Sequence, residues 1–354
     1  AQVEASLRTL YDTESELRLL MGLSATDGRL IRPKDDPTLA RVEFDWTDIL
    51  AEAIARRTPV SLTAKRVQLR SPWRWLPPAL APAPRQATTI GSDAIDPPWP
   101  DLFIGCGRAS IPFALGVREW SNGRTLVVQL QDPRVNPREF DLVVPPLHDE
   151  LEGQNVIPIV GACNRMTPER LQKAVRDYAP VDLMELPSPR FAVLIGGKSK
   201  RQDIGAARAR EISHSLVAVQ RKTGGSLLVT LSRRTGSAAR TQFRTWLAPH
   251  CAVFYEDEGA NPYPAILGAA DHIFVTADSV NMATEAAATA KPVHILAVDG
   301  GAGKLARFHQ SLARRGCARP FNGKLETWSY PPLLETDRVA AAVLTAWAER
   351  ARAR

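Results

Sequence analysis

An α/β fold of two domains, the second of them doubly wound, is predicted by three observations. Short apolar runs alternate with helical patterns through the second half of the chain. Two small-residue or cation-bearing loops each follow such a run and open a helix. The 354 residues, 44% hydrophobic and 23% charged, are enough for two domains with separate cores.

The alternation is strictest from residue 191 onward. Strands are expected at 191–195, 226–231, 251–255, 272–275 and 293–298, and helices at 204–219, 237–247, 264–270, 279–290 and 303–314. Such βαβ order demands right-handed crossovers and a parallel sheet covered on both faces. The first half is more irregular. Strands are expected at 101–105, 125–131, 141–144 and 156–160, with a helix over 110–120 and another after Pro168. The prolines from Pro180 to Pro189 suggest an extended interdomain linker. The expected division is therefore 1–185, 186–335 and a last helix, 336–354, packing back toward the first domain; the place of 1–60 is open.

The most informative segment is Thr276-Ala-Asp-Ser-Val-Asn-Met-Ala-Thr-Glu285, continuing through Ala-Ala-Ala-Thr-Ala-Lys to Pro292. A strand should end at its start and a helix begin within it, capped by Asp278 or Ser279. The unpaired amides and dipole of that helix start favour a phosphate. Asn281 and Glu285, four apart, share a helix face, and a carboxylate there suits ribose hydroxyls. The expected strand 191–195 leads into Gly196-Gly-Lys-Ser-Lys-Arg201, where two glycines permit close backbone approach and three cations follow. Both loops should lie at one sheet edge, where α/β folds bind ligands. A Gly-Gly turn alone is more often merely tight.

Other chemistry is limited by composition. The net charge of +7 suits anionic partners, but the basic residues are dispersed and nucleic acid is a poor fit. Cys106, Cys163, Cys251 and Cys317 lie far apart without a Cys-x-x-Cys pair, which suits buried, reduced thiols in a cytoplasmic setting. Six histidines form no metal-ligand spacing, so no metal is expected. No run approaches the roughly 18 apolar residues of a membrane span, and no signal-peptide pattern opens the chain.

Two motifs point elsewhere. Gly105-Cys-Gly-Arg-Ala-Ser110 resembles a dinucleotide loop, with Asp132 near the place of a ribose acid, so an NAD-linked epimerase is one alternative. No tyrosine has a lysine four residues on, as a short-chain enzyme of that kind requires. Gly300-Gly-Ala-Gly-Lys-Leu305 is not a P-loop, because Val298 and Leu305 replace the required glycine and hydroxyl residue.

Several stretches resemble known proteins. The segment Thr284-Glu-Ala-Ala-Ala-Thr-Ala-Lys-Pro292 is similar to the acidic donor-site helix of the lipid-intermediate N-acetylglucosaminyltransferase. More specifically, Gln129-Leu-Gln-Asp-Pro-Arg134, Leu227-Leu-Val-Thr230 with Arg233-Arg-Thr235, Val275-Thr-Ala-Asp-Ser279, Arg307-Phe-His309 and Trp328-Ser-Tyr-Pro331 resemble the elongated-mitochondria type mitochondrial fission family. The resemblance runs in order from about Trp73 to Ala341. It implies a GT-B-like fold, two Rossmann-like doubly wound domains facing a cleft, with a nucleotide-sugar donor in the second domain and an acceptor in the first.

Carried onto this chain, the resemblance places Gly196, Gly197 and Ser199 at the diphosphate. Ser279, Asn281 and Met282 would meet phosphate or sugar, Glu285 the ribose, and Lys304 and His309 the sugar end. The expected activity is glycosyl transfer from a nucleotide-sugar to a lipid-linked or lipopolysaccharide acceptor. It needs no cofactor, and cations in place of an Asp-x-Asp metal site neutralise the leaving group. His148 with Asp149 is the best pair for the base, with Asp27 and Asp132 behind it and Arg134 also facing the cleft; the competing expectation for His148 is an exposed loop residue.

The family pattern departs at the start, where only Thr26-Asp-Gly-Arg29 survives, and at Ala290, which replaces a usual glycine. A noncatalytic scaffold in mitochondrial or membrane fission is the other alternative. Pro72-Trp-Arg-Trp-Leu-Pro-Pro78 mixes aromatic and basic groups as anionic-membrane docking arms do, against the equal expectation of an arm folded on its own core. That reading puts the protein at the inner membrane's cytoplasmic face, or at the outer mitochondrial surface in a eukaryote.

Overall fold

The computed structural model describes residues 46–71, 73, 87–198, 202–300 and 303–352, and the backbone of 17–21. Asp27, Ser199, the 26–29 motif and most of the Trp-Arg-Trp arm lie outside the described residues. The chain divides into two compact units, 1–159 with 335–354, and 160–334.

In the first unit, strands β1 (Leu17–Met21), β2 (Val60–Ala64), β3 (Leu102–Cys106), β4 (Leu126–Leu130) and β5 (Leu142–Val144) form a parallel sheet in the order β2-β1-β3-β4-β5. Helices α1 (Trp46–Ala55) and α2 (Ile111–Trp120) belong to this unit. Phe103, Phe113, Val117, Val127 and Val143 build one core.

No strand forms over 156–160. Only Val156 and Ile159 make isolated parallel bridges, to Val143 and Pro146; the Ile157 amide donates to the Val143 carbonyl, but Pro145 has no amide to answer the Ile157 carbonyl and continue the ladder.

The second unit holds α3 (Pro168–Asp177), β6 (Arg190–Ile195), β7 (Gln202–Asp203), α4 (Ala206–Thr223), β8 (Ser226–Leu231) and α5 (Ser237–Trp246). It continues through β9 (Cys251–Tyr255), α6 (Tyr263–Ala269), β10 (His272–Thr276), α7 (Val280–Ala287) and β11 (Val293–Leu296), then β12 (Asp299–Gly300), α8 (Lys304–Arg314) and β13 (Ala318–Pro320). The parallel sheet runs β13-β11-β10-β6-β8-β9, the order of a dinucleotide-binding doubly wound domain. Alternation along β6 sends Phe191, Val193 and Ile195 into one core and Ala192 and Leu194 into the other.

The unit boundary falls at 159/160, not in the proline stretch at 180–189. Val160–Met166 is wholly buried, and α3 packs on α6, so this segment belongs to the second core. The last helix, α9 (Glu335–Arg352), packs on α1 in the first unit. Arg350 pins its end, pairing with Asp141 at 2.8 Å and donating to the Gly123 carbonyl at 2.5 Å. Asp141 also accepts from the Val127 amide at 2.7 Å, which ties the helix to the sheet.

Two features of the second unit affect stability. Ala290, just past α7, has φ 60°, a left-handed conformation that costs a Cβ-bearing residue about 1–2 kcal/mol. Substitution Ala290→Gly should raise stability by about 0.5 kcal/mol, since glycine's unfolded-state entropy offsets part of the relief; urea unfolding checks this.

The buried ring of His294 stacks on Phe274 at 4.8 Å and lies 3.4 Å from His272 through Nε2 and Nδ1. Burial, chiefly, pushes His294 from 6.5 down to about 4. Its neutral form therefore contributes fully above pH 6.5, and that contribution is lost as pH falls toward 4. The loss should reach roughly 2–3 kcal/mol. Unfolding curves at stepped pH should show this slope flattened in His294→Leu.

Candidate functional site

In the second unit the loops after β6 and β10 meet at the carboxyl edge of the sheet. These two strands are the neighbours across which the strand order reverses, the usual ligand position in open α/β sheets. The contact is direct. The Gly196 amide donates to Thr276 Oγ1 at 2.7 Å, and the Gly197 amide donates to Asp278 Oδ2 at 2.8 Å.

The glycines are required by that approach. A Cβ on Gly196 would lie 2.1 Å from Asp278 Oδ2, and one on Gly197 would lie 2.1 Å from the carbonyl carbon of Arg234. The loop after β8 closes the other side: Lys198 N donates to the Arg234 carbonyl at 3.0 Å and Thr235 Oγ1 to the Gly196 carbonyl at 2.5 Å. Three loops thus form one braced corner. The amides of both glycines are spent inside it, so an anion there would be met by other groups.

Those groups are the start of α7 and nearby cations. Ser279 caps α7, its Oγ accepting from Met282 N at 3.4 Å, while the first-turn amides head the helix. Lys198, Arg233, Arg234 and Lys304 are exposed. The Arg234 guanidinium lies 4.0 Å from Asp278, whose side chain is fully buried.

His309 reaches this corner from α8, its Nε2 donating to the Ala277 carbonyl at 2.8 Å. Burial holds His309 below its ordinary value, so the ring is neutral near pH 7 and its Nδ1 is an acceptor. That Nδ1 and Asp278 Oδ1 are buried with no hydrogen-bond partner among the described residues.

One turn into α7, Glu285 turns toward α6, where the Tyr263 hydroxyl donates to its Oε2 at 2.5 Å. Protein atoms surround the carboxyl group although part of the residue still meets solvent. Burial pushes it up to about 7, and the Tyr263 bond and the Arg170 charge pull the other way.

Asn281, four residues earlier, is exposed; Met282 packs against the core. The structure thus gathers Gly196, Gly197, Ser279 and His309 at one rim, with Lys304 opening α8 and Glu285 on α7. Sequence reasoning missed Tyr263, Arg170 and Thr276, and saw Asp278 only as a cap. No periodic or spacing signal marks Tyr263; only the topology brings it to Glu285.

His148 and Asp149 lie in the first unit, on a short 3-10 turn over Leu147–Asp149. The Gly105–Ser110 loop of that unit is braced from within: Ser110 Oγ and Gln129 Nε2 donate to the Gly107 carbonyl at 2.8 and 3.3 Å. Asp132 accepts from Arg134 N at 2.8 Å and pairs with its guanidinium at 3.0 Å, closing its own turn. Among the described residues no three His, Cys, Asp or Glu side chains group as metal ligands, and no helix is long and apolar enough to cross a membrane.

The model of the family described as Mitochondrial fission ELM1 matches residues 48–347. The chain belongs to the mitochondrial fission ELM1 family. It is 32% identical over 271 residues to mitochondrial fission protein ELM1 of Arabidopsis thaliana, covering 69% of this chain and 63% of that protein. An uncharacterized protein of Rickettsia prowazekii is 27% identical over 295 residues, with 71% of this chain and 81% of the other covered.

Among solved structures, this ELM1-family chain resembles the UDP-GlcNAc 2-epimerase of Methanocaldococcus jannaschii, with TM-score 0.51, 10% identity, and 94% and 99% of the two chains covered. It also resembles the Neisseria meningitidis UDP-GlcNAc 2-epimerase bound to UDP-GlcNAc, with TM-score 0.50, 11% identity, and 96% and 100% covered. At such identities the likeness concerns the fold, a GT-B-like pair of parallel-sheet α/β units.

The tightness of the braced corner is testable. Gly197→Ala, forced against the Arg234 backbone, should cost at least about 2 kcal/mol in urea unfolding.

Proposed function

We propose that the second unit binds a nucleotide-sugar and that the chain is a GT-B glycosyltransferase delivering the sugar to an acceptor. The observation that carries this reading is the meeting of the β6 and β10 loops at the switch point, with a capped helix start, exposed cations and a carboxyl group gathered beside it. The diphosphate would face the first-turn amides of α7 and Lys198, Arg233 or Arg234. The ribose would lie toward Glu285, and the sugar toward His309 and Lys304.

Charge on the departing diphosphate would be stabilised by those amides and cations. Asp278 does not oppose this strongly, because its Oδ2 is bonded to the Gly197 amide and Arg234 stands beside it. The acceptor hydroxyl also needs a base, and His148 with Asp149 is the candidate for that role. The net positive charge suits an acceptor carried on an anionic membrane surface, and such an acceptor would put the protein at a cytoplasmic membrane face.

A second reading, a scaffold without turnover, is favoured by the family description and the Arabidopsis relative's name. Calorimetry with UDP, GDP, CMP and dTDP sugars, beside NAD, separates the readings. A nucleotide-sugar should bind, and Glu285→Ala should weaken it by at least about tenfold, as expected for losing hydrogen bonds to a charged group. A response to NAD alone would favour dinucleotide chemistry, and silence from every ligand the scaffold.

A further inference from the structure

The Tyr263–Glu285 contact has no counterpart among the structural bonds that brace the rest of the rim. The donor sits on the first turn of α6 and the acceptor on α7, 22 residues apart, and the bond is 2.5 Å long. Only Oε2 of Glu285 is used. Oε1 has no hydrogen-bond partner among the described residues.

We propose that Tyr263 is a positioning residue: its hydroxyl fixes one oxygen of Glu285 and sets the protonation state in which the other oxygen is offered to a hydroxyl-bearing ligand at the rim. This deepens the nucleotide-sugar reading and rests on it for the ligand.

The chemistry is directional. Burial and the neighbouring Glu285 raise the Tyr263 phenol far above neutrality, so it remains a donor throughout the working range. A carboxylate accepts from vicinal hydroxyls at both oxygens, whereas a carboxylic acid presents one O–H and a weaker acceptor. The Glu285 group, raised to about 7 by burial, is therefore near half-protonation at neutral pH.

Two groups favour its charged form: the Tyr263 hydroxyl from α6 and the Arg170 guanidinium from α3. On α8, packed against α7, burial holds His309 below its ordinary value, and Lys304 and Arg307 are the basic residues near the start of that helix. Removing the tyrosine hydroxyl should push Glu285 further up. Ligand binding would then be weakened at neutral pH and recovered in alkali, a pattern that simple misfolding of the site does not produce.

Two measurements on the full chain test this. In carboxyl-region infrared titration, with Glu285→Gln identifying the band, the midpoint should lie near 7 and move upward in Tyr263→Phe; an unmoved midpoint overturns the proposal whatever the chain binds. With UDP-GlcNAc as probe, whose diphosphate diester does not titrate near neutrality, affinity should rise between pH 7 and 9. Tyr263→Phe should weaken it by about three- to tenfold at pH 7, yet by less than about twofold at pH 9.

Equal weakening at both pH values would make the tyrosine merely structural and overturn the proposal. A shifted infrared midpoint with no UDP-GlcNAc binding at any pH would support the Tyr263–Glu285 assignment while defeating the nucleotide-sugar reading.

Discussion

The buried carboxylate of Asp278 is the constraint on which the rest of the second unit's rim depends. A carboxyl group removed from water is costly unless hydrogen bonds and nearby opposite charge compensate it. Here the Gly197 amide and the Arg234 guanidinium supply that compensation, and in doing so draw three loops from three strands into contact. The close approach leaves no room for a Cβ at 196 or 197. The Gly-Gly pair is therefore explained by packing against Asp278 and the Arg234 backbone, and the site next to it inherits a rigid wall.

That wall changes how an anion would be held. A glycine loop that cradles phosphate presents its own amides, but these two are already bonded to Thr276 and Asp278. The work falls to the first turn of α7 and to long basic side chains that remain in solvent. Meanwhile the inner face of the corner carries two buried acceptors, Asp278 Oδ1 and His309 Nδ1.

Much of the second unit was legible because its strands are buried on both faces. Residues 191–195, 226–231 and 272–275 are short apolar runs between turn signals, and their length and flanks favour buried strands over helix. The edge strand Ala318–Pro320 carried no such signal, with an arginine and a proline in three residues. The run 156–160 was over-read because its apolar character says nothing of its partner, where Pro145 lacks the amide that would continue the pairing. The prolines at 180–189 suggested a boundary, yet the decisive fact was burial of Val160–Met166, which depends on tertiary contacts with α7 such as Gly161 against Thr284.

The site was legible where chemistry is local, as at Gly196, Gly197 and Ser279, and opaque where it depends on residues far apart in the chain, as with Tyr263 and Arg170 beside Glu285.

Hydrogen–deuterium exchange of the full chain with and without saturating UDP-GlcNAc tests the central claim most directly. The account predicts added protection concentrated in the loops at 196–198, 232–235 and 277–279 and in the first turns of α7 and α8. Protection confined to the first unit, or to the opposite edge of the second sheet, would contradict it.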